Sequence, residues 1–455
     1  MITLTLLFWM ETNLSSSPAF DGEPVVAVNP LNTDNVVVAW LRAALGRSYI
    51  AVRYTLDGGE TWSDITLMPH LYAGFNSADP AIAFSSNGTV YLAYIDFEQS
   101  SSTGYVLFTS SSDGGATWST PRIAVSYDEA EDYPIDRPWI SAGGDTIYMT
   151  TIETAILGAT APYHIFFKRS TDGGNTWGPL MFIGEDAYPT GWLRSMGQLS
   201  ASGDTVFLAY YSYAPDIHPL PGHIISMSFD AGETFEYGVI DRLDPSVAVD
   251  STLKKGTPLM FIPHSQLLIA TRVGSDFGDP DILYYTSADM GATWQGPLRL
   301  NDDPQGNGAY QDMPWGCSRD SIVAFFWRDR RSYGTGFLVP FDIYGAISTD
   351  GGITFGPGFR VNSQPSLYDS LLLLRGNDFL GCDVGDDDVF VVWGDTRDTS
   401  MHIDIYLARI PLPLAERERI QHGHRGAGTF DPSGKKTSRG KILIDAGGEK
   451  VIRIH

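Results

Sequence analysis

At 455 residues the chain has room for two or three ordinary domains, and a hydrophobic content of 43 % with 12 % aromatics supplies a substantial core. Its 30 Lys and Arg against 54 Asp and Glu give a formal charge of −24, which argues against a nucleic-acid partner because neutralising phosphates needs basic surface. Two cysteines exclude a disulfide framework and leave the redox compartment open.

In chain order, the opening stretch MITLTLLFWM is apolar but lacks a basic flank and a small-residue cleavage site. It is also too short to cross a bilayer. Residues 1–9 read either as the remnant of a truncated signal or as an extension of the strand that follows. From residue 55 a motif, Ser/Thr-x-Asp-x-Gly-x-Thr-Trp/Phe, occurs six times: TLDGGETW, SSDGGATW, STDGGNTW, SFDAGETF, SADMGATW and STDGGITF. Its aspartates, Asp57, Asp113, Asp172, Asp230, Asp289 and Asp350, stand 56 to 61 residues apart. So regular a period marks a repeat architecture.

Residues 79–125 show one unit. DPAIAF, TVYLAYID, YVLFTSSSD and PRIAV read as four strands, separated by the turn SSNG, the loop FEQSSSTG and the aspartate turn. Four antiparallel strands in each period describe one blade of a β-propeller. A seventh unit, residues 379–410, has three strands and no aspartate turn. Residues 10–16 supply its fourth, because METNLSSSPAFDGEPVVAV lines up with PLRLNDDPQGNGAYQDMPWGC, the passage from one blade's last strand to the next blade's first. The expected fold is all-β: a seven-bladed propeller over residues 10–410, closed by its N-terminal strand, since an open ring would leave unpaired edges. Residues 411–455 carry nine Lys and Arg against five Asp and Glu, while residues 1–410 sum to −28. This basic tail reads as a small β-module whose charge favours contact with an acidic surface, by self-association or at a cell envelope. It resembles the short C-terminal β-modules with which many secreted bacterial proteins are sorted or anchored.

The six copies resemble the Asp-box, or BNR repeat, of sialidases, which also occurs in xyloglucan hydrolases, sortilin-type receptors and photosystem assembly factors. The resemblance covers residues 10–410 and is specific for the propeller, far less so for an activity. The residue types agree with a scaffold role. Glycines permit the left-handed backbone of a tight turn, the carboxylate accepts backbone N–H groups, and Trp or Phe packs between sheets.

Function is then sought in what differs between repeats. The Asp–Arg pairs of WRDRR (327–331) and WGDTRD (393–398) read as ion pairs within blades, and GDDDV (385–389) as a solvated hairpin. Cys317 and Cys382 occupy equivalent places in successive blades, point the same way and are expected as separate buried thiols. On the face bearing the blade-to-blade linkers, acids precede the first strands at Glu23, Asp79, Asp136, Asp244 and Asp312. Rings crowd the same segments, with Tyr133, Trp139, Trp192 and Trp315 as candidates to stack on a sugar. The same rings also suit plugging the channel. Asp128, Glu131 and Asp132 offer oxygen ligands to Ca²⁺, or else form a solvated acidic loop. No other cofactor and no transmembrane segment is expected.

The resemblance implies an arginine triad that clamps a substrate carboxylate, a tyrosine nucleophile with its glutamate, and an aspartate acid/base. Arg137, Arg194, Arg328, Tyr310, Glu153 and Asp79 supply these types, chosen by location, since the F/Y-R-I-P motif is missing and sialidases have six blades. Two functions stay open for a secreted or surface-exposed chain. One is an exo-sialidase-like glycoside hydrolase, the other a non-catalytic binding or surface-assembly propeller; a glycan is the expected ligand of the first.

Overall fold

Runs rich in Val, Ile, Tyr and Phe, each stopped by a Gly- or Asp-bearing turn, fold into seven four-stranded antiparallel sheets. The computed structural model describes residues 9–16, 18–44, 46–98, 103–130, 135–153, 165–183, 198–212, 222–242, 259–336, 339–367, 379–397, 402–412, 442–444 and 450–452. The innermost strands of blades 1 to 7 are Phe20–Val28, Asn76–Phe84, Ile135–Gly143, Gln198–Ser202, Leu259–Ile262, Gln311–Arg319 and Leu380–Val384. Successive blades pack face to face, and the apolar clusters between them each belong to a pair of neighbours. Val37, Val52 and Leu107 join blades 1 and 2, for example, and Ile269, Phe325 and Trp327 join blades 5 and 6.

The aspartate turns brace these interfaces. In all six, the Ser or Thr hydroxyl two residues earlier donates to the carboxylate at 2.6–2.8 Å. The Thr four residues later donates its N–H at 2.9 Å and its hydroxyl at 2.5–2.6 Å. These donors depress the carboxyls: Asp57, Asp172 and Asp230 fall to about 2, through the Thr55, Thr176 and Thr234 hydroxyls respectively. The aromatic that ends each motif then packs into the interface with the preceding blade, Trp177 against Phe108 of blade 2 and Phe235 against Phe167 of blade 3.

The two glycine positions of the motif differ in their constraint. The first adopts positive φ, yet Ala231 (59°) and Met290 (58°) fill it in blades 4 and 5. The second is also positive, but a Cβ there would meet the preceding blade: 2.1 Å from Phe108 at Gly174, 2.5 Å from Phe167 at Gly232 and 2.4 Å from Ile269 at Gly352.

Blade 7 is composite. Met10–Asn13 pairs antiparallel with Asp404–Pro411, Met10 opposite Arg409 and Asn13 opposite Tyr406. Asn13 and Ser15 donate to the Asp404 carboxylate at 2.9 and 3.1 Å, and Leu14 is buried in the core of blades 7 and 1. Glu11 pairs with Arg397, which also pairs with Asp395 at 2.7 Å; Arg331 and Asp329 repeat that pair at 2.8 Å in blade 6. The Asp–Arg dipeptide motifs are therefore ion pairs within blades.

One expectation is corrected. Cys317 and Cys382 form a disulfide between blades 6 and 7, their Cα atoms 5.7 Å apart. Equivalent positions do point the same way, but near the axis the innermost strands converge until such neighbours lie side by side, within disulfide reach. By backbone contacts the chain falls into two compact units, Met1–Leu412 and Pro413–His455; in the second, Ile442–Ile444 pairs with Lys450–Ile452. No helix among the described residues is long and apolar enough to cross a membrane.

The glycine geometry yields a graded expectation. Gly174→Ala combines left-handed strain with overpacking and should cost about 3 kcal/mol. Gly173→Ala meets only the Tyr91 hydroxyl, at 3.5 Å, and should cost about 1 kcal/mol. Urea denaturation of the two variants checks the order; equal losses would contradict it.

Candidate functional site at the channel mouth

Four innermost strands carry the same irregularity. Glu23, Asp79, Arg137 and Met313 each precede a proline and adopt φ of 49–54°, and each lies at a shift in strand register. A left-handed non-glycine residue costs roughly 1–2 kcal/mol, and strain of this kind concentrates at functional sites. Here it recurs at equivalent positions in blades 1, 2, 3 and 6, next to the linker face. In the first three it carries charged side chains that are nonetheless buried.

These charges meet. The Asp79 N–H donates to Glu23 Oε2 at 2.9 Å, so blades 1 and 2 are tied at the mouth. Burial, followed by repulsion from Glu23 and Asp136, pushes the Asp79 carboxyl well above the usual range, and Arg137 opposes the shift only in part. Asp79 is hydrogen-bonded to Asp136, an arrangement in which one carboxyl keeps its proton. Its Oδ1 is buried with no hydrogen-bond partner among the described residues. Arg137 approaches Asp136 at 3.7 Å and lies 5.6 Å from the Phe379 ring.

Below the charges the lumen is bridged by rings. Trp139 of blade 3 lies 5.2 Å from Trp315 of blade 6 and 5.5 Å from Phe379 at the entry to blade 7; Trp315 and Phe379 are 5.9 Å apart. Blades 3 and 6 stand three places apart in a ring of seven, as far as two blades can be, so their rings touch across the axis. The innermost strands of all seven blades line a cavity of about 490 Å³ whose wall includes Trp139, Trp315, the disulfide and Asp383. Asp383 accepts the Val28 N–H of blade 1 at 2.7 Å, and burial pushes its carboxyl up to about 6.

The sequence-derived candidates are distributed as follows. Asp79 and Arg137 lie together at the mouth, and Trp139 and Trp315 meet in the bridge. Arg328 is buried and bidentate to Asp312, at 2.7 Å through both Nε and Nη2. Burial alone would raise Asp312, but Arg328 and Arg330 hold it at about 2. A substrate carboxylate would have to displace Asp312 to reach Arg328. The Tyr310 carbonyl accepts the Arg330 N–H at 3.1 Å. Glu153 ends the strand Thr146–Glu153, its side chain undescribed, and Arg194, Trp192, Tyr133, Glu131 and Asp132 lie outside the described residues. Asp128 is exposed, and among the described residues no group of three or more metal-ligating side chains is arranged to hold an ion.

The six repeated aspartates sit away from this region. Their turns bond to the hairpins between first and second strands, as Gly58 does to Asp34 and Gly173 to Asp145. Sequence reasoning missed Phe379 as the third ring and the bulges themselves. The signal for the bulges was present, as a proline early in the first strand of GEPVV, ADPAI, DRPWI and DMPWG.

No family model and no curated protein matches the chain. Among solved structures it is similar to a Dyadobacter fermentans protein of unknown function, at 15 % identity and a TM-score of 0.50, covering 89 % of this chain and 99 % of that one. It is also similar to the phage phi92 endosialidase, at 10 % identity and a TM-score of 0.51, covering 98 % and 74 %. What is shared is the fold. At these identities the two propellers place the chain's architecture beside theirs and leave its chemistry to its own residues.

The buried carboxyl gives a pH test. In the unfolded chain Asp79 loses its proton near pH 4, while in the folded chain it keeps the proton to much higher pH. The folded state therefore binds more protons between those limits, and its stability falls as pH rises through them. Asp79→Asn should be more stable than wild type at pH 8, with the advantage shrinking toward pH 4. Urea denaturation across that range reads it, and an advantage independent of pH would contradict the assignment.

Proposed function

We propose that the chain is a secreted or surface-exposed propeller that binds glycans at its channel mouth without hydrolysing them. The observation that carries the reading is the Trp139–Trp315–Phe379 bridge beside the Glu23, Asp79, Asp136 and Arg137 cluster. Trp139 and Phe379 are buried and back the half-buried Trp315, whose indole face packs against the apolar face of a sugar ring while carboxyl and guanidinium groups meet hydroxyls. The pairing of Arg328 with Asp312 leaves that guanidinium in use, which fits binding better than carboxylate clamping. The disulfide fits an oxidising compartment, and the repeats make the chain sialidase-like in scaffold. In this reading the basic tail contacts a partner or the envelope.

A second reading is favoured by one feature, the upward shift of the buried Asp79 carboxyl. A raised carboxyl pKa is what a general acid needs, and Arg137, Arg194, Tyr310 and Glu153 would complete an exo-sialidase-like hydrolase. A glycan array together with fluorogenic glycosides, sialosides among them, separates the two. Binding without release of fluorophore is the expected result, with Trp315→Ala reducing affinity at least tenfold. Turnover that Asp79→Asn abolishes would establish the hydrolase instead, and a chain that neither binds nor cleaves would overturn both.

A further inference from the structure

The mouth face of blade 2 carries a second aromatic surface, set outward from the channel. Tyr72 and Phe75 come from the linker between blades 1 and 2. Tyr105 opens the strand Gly104–Ser111, and Tyr127 follows the strand Arg122–Ser126. Segments remote in sequence thus deliver four rings to one end of one blade. Each touches the next: Tyr72 to Phe75 at 5.2 Å, Tyr72 to Tyr105 at 6.1 Å, Phe75 to Tyr105 at 6.2 Å and Tyr105 to Tyr127 at 6.0 Å.

The rings differ in exposure in an orderly way. Phe75, 9 % exposed, is the floor, and Arg47 donates to its carbonyl at 3.3 Å, holding the linker in place. Tyr72 is 52 % exposed, Tyr105 and Tyr127 are half-buried, and Asp128 beside them is exposed. The phenol ends also gather: Tyr105 is hydrogen-bonded to Tyr72 and feels the Tyr127 hydroxyl and the Asp128 carboxylate. The result is a ring surface edged by three hydroxyls and one carboxylate.

We propose that Tyr72, Tyr105 and Tyr127, floored by Phe75 and edged by Asp128, form a second glycan subsite that takes a neutral sugar ring. The proposal rests on the glycan-binding reading above and adds a place and a class of sugar to it. Tyrosine rings offer flat apolar area to the C–H face of a pyranose or furanose, and their hydroxyls with Asp128 accept from and donate to its equatorial groups. Charge selects the class. The Asp128 carboxylate lies on the platform's edge, and residues 1–410 carry a net −28, so a sugar acid meets repulsion that a neutral sugar does not. A platform outboard of the mouth would hold a glycan at two points and raise avidity without new contacts at the channel.

The test is isothermal titration of the full chain with lactose, cellotetraose and xylotetraose, with 3′-sialyllactose as the charged counterpart of lactose. At least one neutral oligosaccharide is expected to bind, and lactose more tightly than 3′-sialyllactose. Tyr72→Ala and Tyr127→Ala should each weaken neutral-sugar binding about tenfold, and Tyr72→Phe, which keeps the ring, should weaken it less. Unchanged melting temperatures would show that the variants are folded; if Tyr127→Ala unfolds, the exposed Tyr72→Ala carries the comparison. Neutral-sugar affinity unaffected by Tyr72→Ala and Tyr72→Phe would overturn the platform while leaving the mouth as the glycan site. A Tyr72→Ala change that alters sedimentation but not sugar affinity would assign the surface to a second copy of the chain and overturn it too. Wild-type protein that binds none of the sugars, alongside a blank glycan array, would remove the glycan reading itself.

Discussion

Ring closure is the constraint on which everything else in this molecule depends. A single four-stranded blade has two apolar faces and cannot bury either alone; each face is covered only by the next blade. The requirement passes round the ring until it reaches blade 7, whose three C-terminal strands are completed by Met10–Asn13, nearly 400 residues away in sequence. Three further devices gather at that seam. The Cys317–Cys382 disulfide ties blade 7 to blade 6, Asp383 takes an N–H of blade 1, and the buried Leu14 fills the core between blades 7 and 1. Elsewhere the aspartate turns hold neighbouring blades in register, and blade 7 is the blade that lacks one. The seam is reinforced where the repeat's own brace is missing.

Closure also explains the chemistry at the mouth. Bringing seven strand ends round a small circle forces equivalent side chains together, whatever their charge. Glu23, Asp79 and Asp136 come from three neighbouring blades and meet because their bulges sit at the same height. Burial and their mutual repulsion push the Asp79 carboxyl well above the usual range as a consequence. The same convergence brings Trp139 and Trp315 into contact across the axis. A scaffold of this type does not choose a reaction, and what distinguishes one propeller from another is which residues the bulged positions present.

Much of the architecture was legible because it is periodic. Six aspartate turns at constant spacing specify blades, and the boxless seventh unit with its missing strand specifies where the ring closes. The Asp–Arg motifs of blades 6 and 7 were readable as ion pairs because they recur. The site was less legible, for a physical reason: it consists of contacts between blades, and period analysis describes what lies within one. Cys317 and Cys382 were misjudged on that account, since equal orientation says nothing of how far apart two strands stand at a given radius. Phe379 escaped notice because it has no counterpart in other repeats, and Arg328 looked available until its strand partner Asp312 was seen to hold it. Asp79, Arg137, Trp139 and Trp315 stand out in the sequence because acids, arginines and rings collect on the linker segments, and the fold brings them to the mouth.

The central claim is that the blades behave as one ring, closed by the first strand. Equilibrium unfolding of the chain lacking residues 1–16, compared with the full chain, tests it most directly. The account predicts a large fall in midpoint together with self-association through the newly exposed edge of Asp404–Pro411, under conditions where the full chain unfolds in one cooperative transition. A shortened chain that keeps the full chain's midpoint and remains monodisperse would contradict it.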